Sequence, residues 1–179
     1  PLMWRGPTVL TVHDLSFEAH PEWFRPRERW RRRLLTRASV RRATAVVAVS
    51  RFTASELADR YGAGGERVEV IHHGADPTLA TGAATPEATL RHRLGIEGPL
   101  VLTVGSVLER RFRGLLLAAM ARLGEVEATL VVAGEDRRRL GGDLGDDIAA
   151  AGVGDRVRWL RYCPEEDLRG LLRAASALV

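Results

Sequence analysis

The sequence predicts an α/β doubly wound protein, and three observations carry that prediction. Short runs rich in Val, Leu and Ala recur along the 179 residues. They are apolar almost throughout rather than alternating, as parallel strands covered on both faces require. Segments with helical spacing and helix-start signals separate them, so strand and helix take turns along the chain.

Residues 8–12 form the first predicted strand. An Arg-rich helix follows, with Trp30, Leu34, Leu35 and Ala38 on one face at intervals of three and four. A second strand covers 43–49, and Thr53-Ala54-Ser55-Glu56 then has the form of a capping box that opens a helix. A third strand covers 67–71. Residues 74–85 hold Gly, Pro, Thr and Ala without periodicity and read as an interdomain linker. The boundary falls near Ala84, which gives two domains, 1–84 and 85–179. The second begins with a strand at 100–104 and a helix whose apolar face is Leu116, Ala119, Met120 and Leu123. Strands at 128–133 and 156–160 follow. Pro164, with Glu165, Glu166 and Asp167 behind it, suits a first helical turn, where acids meet the positive end of the dipole. Leu168, Leu171, Leu172 and Ala175 line that helix, and 177–179 begin a last strand.

Composition narrows the class. An apolar fraction of 45% supports a buried core. The longest apolar stretches, 45–49 and 115–120, are far too short to span a bilayer. The opening residues resemble neither a signal nor a transit peptide. The absence of Met at position 1, and an end at Val179 inside an apolar run, predict that both ends are cut. Cys163 is the single cysteine, so an internal disulfide is excluded and a cytoplasmic setting is the simpler expectation. All 27 basic residues are arginine, and with a net charge of only +4 the isoelectric point of about 10.4 overstates the basicity. Nine of those arginines lie between Arg25 and Arg42. A solvated amphipathic helix is the plain reading of this stretch. Trp23, Phe24 and Trp30, interleaved with the charge, raise the reading of peripheral contact with an anionic membrane at its inner face. Nucleic acid is not expected, because nothing in the order of motifs supports it.

In open α/β sheets, ligands bind beyond the carboxyl ends of the strands. The residues at those ends are His13-Asp14, Ser50-Arg51, His72-His73-Gly74, Gly105-Ser106 and Gly134-Glu135. If the two half-sheets face each other, these ends line a cleft suited to a phosphate-containing ligand. Each also has a structural reading: the glycines allow tight turns, and a His-Asp pair at a strand end is more often structural than catalytic. His72 and His73 are adjacent, so they point apart and make a poor metal pair. No cluster has metal-ligand spacing, so no metal is expected. No phosphate-binding loop, nucleophile elbow or dinucleotide fingerprint occurs.

The ordered series of motifs resembles family 4 of the retaining glycosyltransferases. The matching segments are TVHDLSF at 11–17, HPEWF at 20–24, RRATAVVAVSRFTASEL at 41–57 and RVEVIHHGAD at 67–76. They continue as VLTVGSVLERRF at 101–112, LLLAAMARL at 115–123, LVVAG at 130–134 and the stretch 155–179. The resemblance implies a GT-B fold of two Rossmann-like domains, both incomplete here. The N-terminal one binds the acceptor and the C-terminal one a nucleoside-diphosphate sugar. It implies no cofactor beyond that co-substrate, and a carbohydrate or lipid-linked acceptor. His13 matches the family's histidine near the transferred sugar. Arg111 matches the basic residue, usually Lys, that pairs with the donor diphosphate. Gly105 and Ser106 match the turn that approaches the phosphates, and Gly134 and Glu135 stand at the next strand end as donor-binding candidates. Ser106 stands where the family often has Arg, and Arg161 where it commonly has Gly. The family's Glu-x7-Glu segment would follow Val179, which implies that these 179 residues are inactive alone. The expected function is hexosyl transfer with retention. The alternative is a non-catalytic GT-B module that binds nucleotide sugar or a partner. An epimerase or phosphorylase on the same fold is a further possibility.

Overall fold

The computed structural model describes residues 4–106, 113–124, 126–136 and 143–179. The chain divides into two compact units, Pro1–Ala75 and Asp76–Val179. The division precedes the expected boundary at Ala84, and the reason is a set of guanidinium–carbonyl bonds. Arg173 donates to the carbonyls of Ala80 and Gly82 at 2.8 and 2.7 Å, and Arg169 donates to that of Ala83 at 3.1 Å. These contacts hold the aperiodic segment against the second unit.

The first unit is a three-stranded parallel sheet in the order β1-β2-β3, with β1 at Val9–Val12, β2 at Ala45–Ala48 and β3 at Val68–Val70. Between β1 and β2 lie a short helix α1, Ser16–Ala19, and α2, Pro26–Arg42; between β2 and β3 lies α3, Arg51–Tyr61. Val12, Val46 and Ala48 of the sheet pack with Val40 of α2 and Leu57 of α3 in one buried cluster. The strands advance in one direction across the sheet, so crossovers of one hand lay both helices on one face.

Two sequence expectations change here. The capping box expected at Thr53 is replaced by a simple N-cap three residues earlier: Ser50 is the N-cap of α3, and its Oγ accepts from the Thr53 N–H at 3.0 Å. Strand β2 ends at Ala48, so Ser50 is already at the helix entrance, and Glu56 pairs instead with Arg60 at 3.1 Å. The apolar face expected to bury α2 is exposed, with Trp30, Leu34 and Leu35 at 65%, 47% and 46% accessibility. Ser39 and Val40, near the end of the helix, are its buried residues. Periodicity identifies a stripe but not the neighbour that covers it.

The second unit is a four-stranded parallel sheet in the order β6-β5-β4-β7. Its strands are β4 (Leu100–Val104), β5 (Thr129–Ala133), β6 (Val157–Leu160) and β7 (Ala177–Leu178). Its helices are α4 (Thr78–Thr81), α5 (Glu87–Leu94), α6 (Arg113–Arg122), α7 (Leu144–Ala150) and α8 (Glu165–Ala174). The central strand β5 is buried at every position. Leu130 and Val132 point into a cluster with Leu117 and Met120 of α6 and Leu144 and Ile148 of α7. Val131 and Ala133 point the other way, toward Leu90 of α5 and Leu171 of α8. Burial on both faces makes its sequence apolar after Thr129, whose buried hydroxyl donates to the Glu97 carbonyl at 3.3 Å. Asp143 caps α7 in a reciprocal box with Asp146.

Each helix end exposes carbonyls that need donors. Three arginines at the starts of strands supply them. Arg67, just before β3, donates to Val40 and Ala43 carbonyls at the end of α2, at 3.1 and 2.8 Å. Arg156, just before β6, donates to Met120 and Gly124 carbonyls at the end of α6. Arg158 donates to Leu94 and Gly95 carbonyls after α5, at 2.6 and 3.1 Å. We expect Arg67→Ala to destabilise the first unit by about 1–2 kcal/mol, the scale of a charge-assisted bond with partial solvent compensation. A urea midpoint equal to that of the parent protein would remove Arg67 from this role.

Candidate functional site

In the first unit, the carboxyl edge gathers residues from both outer strands. His13 follows β1, and His72 and His73 follow β3. The His13 and His73 rings stack, with centroids 5.2 Å apart and planes at 19°. His72 turns elsewhere: its Nδ1 lies 3.2 Å from the Val49 carbonyl, at the end of β2. The backbone of His13 is anchored from α3, because the buried Thr53 hydroxyl donates to the His13 carbonyl at 3.3 Å. Thr53 and Ser50 hydroxyls lie 2.9 Å apart. A two-hydroxyl link thus fixes the end of β1 to the entrance of α3. Asp14 contributes structurally, since its Oδ1 accepts from the Ser16 N–H and hydroxyl at 2.9 and 2.5 Å. His13 and His73 are both exposed at this edge.

In the second unit, the strand order places β4 between β5 and β7. From β4 the chain proceeds to β5 and β6, then returns across the other face through α8 to β7. The carboxyl end of β4 therefore stands where the winding reverses, the position at which open α/β sheets bind ligands. Gly105 and Ser106 occupy it. Gly105 has φ of 118°, a value open to glycine and strained for other residues. Beside it is Gly134, whose absent Cβ would lie 2.1 Å from the Gly105 carbonyl oxygen. The ladder continues through both, with Gly105 N–H donating to Ala133 at 2.9 Å and Gly134 N–H to Leu160 at 2.8 Å. Bare backbone from two strand ends thus meets in van der Waals contact. Glu135 follows Gly134 and is exposed. Arg111 lies outside the described residues.

Two groups at these edges carry no role in the sequence reading. The Trp159 indole N–H donates to the Gly134 carbonyl at 2.9 Å, which braces the glycine junction. The Arg161 guanidinium lies 3.9 Å over the Trp159 ring and pairs with Asp143 at 2.9 Å. That bond from Arg161 is the first cause holding the Asp143 carboxyl below its ordinary range, with the Asp146 and Gly145 N–H groups adding to it against partial desolvation. The replacement of Gly by Arg161 was visible in sequence; its partner was not. Likewise, His73 was visible at a strand end, but its stack on His13 crosses an intervening strand.

A cavity of about 370 Å³ lies at the opposite, amino edge of this unit, lined by Gly95, Glu97, Gly124, Asp155, Arg156 and Arg158 among others. Its arginines are engaged with helix carbonyls, so it is a weaker candidate than the carboxyl edge. No group of three His, Cys, Asp or Glu residues is placed to hold a metal ion among the described residues. No helix among them is long and apolar enough to cross a membrane.

Comparison with known proteins places this geometry. Residues 2–79 match the model of Glycosyltransferase Family 4. A D-inositol 3-phosphate glycosyltransferase of Thermobifida fusca is 31% identical over 191 residues, covering 100% of this chain and 42% of the relative. A 2-deoxystreptamine glucosyltransferase of Streptomyces kanamyceticus is 26% identical, covering 85% of this chain and 38% of the relative. Among solved structures, Anabaena Alr3699/HepE in complex with UDP-glucose aligns with a TM-score of 0.73 at 23% identity, over 96% of this chain and 46% of that one. WaaG, a glycosyltransferase involved in lipopolysaccharide biosynthesis, aligns with a TM-score of 0.69 at 20% identity, over 96% and 50%. The fold is that of the Rossmann-like domains of GT-B glycosyltransferases. Residues 2–79 belong to glycosyltransferase family 4, and the chain as a whole is homologous to glycosyltransferases. It spans roughly two fifths of the length of the curated relatives it matches, 38% of one and 42% of another.

The glycine junction makes a sharp prediction. Gly134→Ala places a methyl group against a backbone oxygen that cannot rotate away. We expect a loss of about 2–3 kcal/mol, at the upper end for overpacking, read as a lower urea midpoint. Unchanged stability would show that the two strand ends are not in contact.

Proposed function

We propose that the chain is part of a glycosyltransferase that moves a hexosyl group from a nucleoside-diphosphate sugar to a carbohydrate or lipid-linked acceptor, with retention of configuration. The observation that supports this most is the junction of Gly105 and Gly134 at the carboxyl edge where the sheet reverses its winding. Two strand ends without side chains let a diphosphate approach the chain closely; the Gly105 and Gly134 N–H groups bond the Ala133 and Leu160 carbonyls, so the donors in this reading are the N–H groups that follow, beginning at Ser106. In this reading the N–H groups near Gly105 and the guanidinium of Arg111 take up the negative charge that accumulates on the leaving diphosphate. Ser106 adds a hydroxyl donor, and Glu135 stands beside Gly134 at the same edge. His13 orients the transferred sugar and is not the nucleophile. With the diphosphate charge met by the protein, the reaction calls for neither metal nor cofactor. The relatives named as glycosyltransferases, and the UDP-glucose in complex with Anabaena Alr3699/HepE, support a hexose donor carried on a nucleotide.

Ser106, where Arg is frequent in the family, favours the second reading: a non-catalytic module that binds nucleotide sugar or a partner. Incubating the full-length protein with UDP-, GDP- and ADP-hexoses separates the two. Release of nucleoside diphosphate, with transfer at retained configuration, supports the enzyme. Nucleotide binding without turnover supports the module.

Arg111→Ala should weaken nucleoside-diphosphate binding by about 1.5–3 kcal/mol, while Arg111→Lys keeps much of it. Calorimetry with unchanged affinity in the alanine variant would end this assignment. His13→Ala should lower turnover at least ~tenfold with nucleotide affinity nearly intact, as for a group acting in the transition state. A collapse of affinity with turnover preserved would make His13 a binding residue.

The setting we propose is cytoplasmic, with peripheral contact to anionic lipid through α2. Trp30, Leu34 and Leu35 are exposed, and Arg27 and Arg31 share their side of the helix at intervals of three and four. Apolar anchors beside cations are what an anionic interface binds. Sedimentation with phosphatidylcholine vesicles containing phosphatidylglycerol should carry the protein down at low salt and less so at high salt, with Trp30→Ser reducing it. Equal partitioning to vesicles lacking phosphatidylglycerol would leave α2 a solvated helix.

A further inference from the structure

The stacked pair at the carboxyl edge of the first unit is not a product of strand adjacency. β1 and β3 are separated by β2, so His13 and His73 meet by reaching across the end of β2. Two bonds make that reach possible. The Ile71 N–H donates to the Ala48 carbonyl at 3.0 Å, which carries the β3 ladder one residue past the strand. His72 is then tied through Nδ1 to the Val49 carbonyl. With His72 turned to β2, the next residue is delivered to the other side of the chain, where its ring lies nearly parallel to that of His13. The His13 backbone is held independently through Thr53. Its ring, however, projects into solvent, where an exposed side chain samples several rotamers. Stacking on His73 selects one orientation of the His13 imidazole.

We propose that His73 is a positioning residue for His13: it fixes the imidazole by stacking so that one ring nitrogen faces the bound sugar in a single pose. This rests on the assignment of His13 to the transferred sugar. In the proposal His73 touches no reacting atom. Stacking needs a flat ring and not a particular nitrogen, so an aromatic hydrocarbon should serve as well. Placement matters because small displacements of a reacting group cost large factors in rate.

The test uses the full-length protein, its donor hydrolysis or transfer assay, and proton NMR of the histidine rings. His73→Ala should lower kcat about tenfold with the donor KM unchanged, and His73→Phe should restore most of it, the pattern for a misplaced group rather than a lost binding contact. In the NMR spectrum, His13 ring protons should shift in His73→Ala through loss of the neighbouring ring current, whereas His92→Ala in the second unit leaves them in place. His13 resonances unmoved by His73→Ala would show that the stack does not exist. A shift with kcat unchanged, or a phenylalanine variant as slow as the alanine one, would show that the stack does not position the ring. If His13→Ala itself leaves transfer intact, the assignment of His13 fails and the positioning role with it. An inactive His13→Ala beside a fully active His73→Ala overturns the positioning role alone.

Discussion

Parallel strand pairing is the constraint on which the rest of this structure depends. Among the described residues, all seven strands run parallel within their sheets. A parallel pair needs a crossover, and the crossover here is a helix that returns the chain to the starting edge. Within each sheet the strands therefore end at one edge and the crossover helices at the other. The carboxyl edge of the first sheet collects His13 and His73, and that of the second collects Gly105 and Gly134, each pair from positions far apart in sequence. The amino edge of each sheet collects helix carboxyl ends, which carry carbonyls without intrahelical partners.

Some of the arginines follow from the second of these consequences rather than from a surface role. Arg67, Arg156 and Arg158 each stand at the start of a strand, and each bonds the end of a helix from a neighbouring crossover. A guanidinium suits this work because its planar fork offers several donors in fixed directions. Arg169 and Arg173 apply the same chemistry to the segment after Asp76, which is why an aperiodic stretch packs with the second unit. Five of the 27 arginines are thereby tied to backbone oxygen.

Strand β5 was legible in the sequence because a strand buried on both faces is nearly all apolar: all five of its positions are buried, and Thr129 is its one polar residue. The helix at Pro164 was legible from its acidic first turn. Less was readable where a tertiary partner decides. The Thr53 box has the right letters, but the strand ends early enough for Ser50 to cap instead, which leaves Thr53 to hold His13. The stripe on α2 has helical spacing and lies exposed. Helices α5 and α7 span only eight and seven residues, too short to show a clear period, and the sequence reading does not include them, although Asp143 and Asp146 have capping-box spacing. At the site, the strand-end rule brought out the glycines and histidines. The contacts between them, Gly134 on Gly105 and His73 on His13, join residues tens of positions apart and leave no local signal.

The proposal that the carboxyl edge of β4 and β5 receives the donor diphosphate is open to a direct measurement. UDP can be titrated into the isotopically labelled full-length protein and followed through backbone amide resonances. Saturable shifts are expected at Gly105, Ser106, Gly134 and Glu135, with the amides at Gly95, Gly124 and Asp155 unmoved. Saturable shifts confined to those three, which line the cavity at the amino edge, would contradict it.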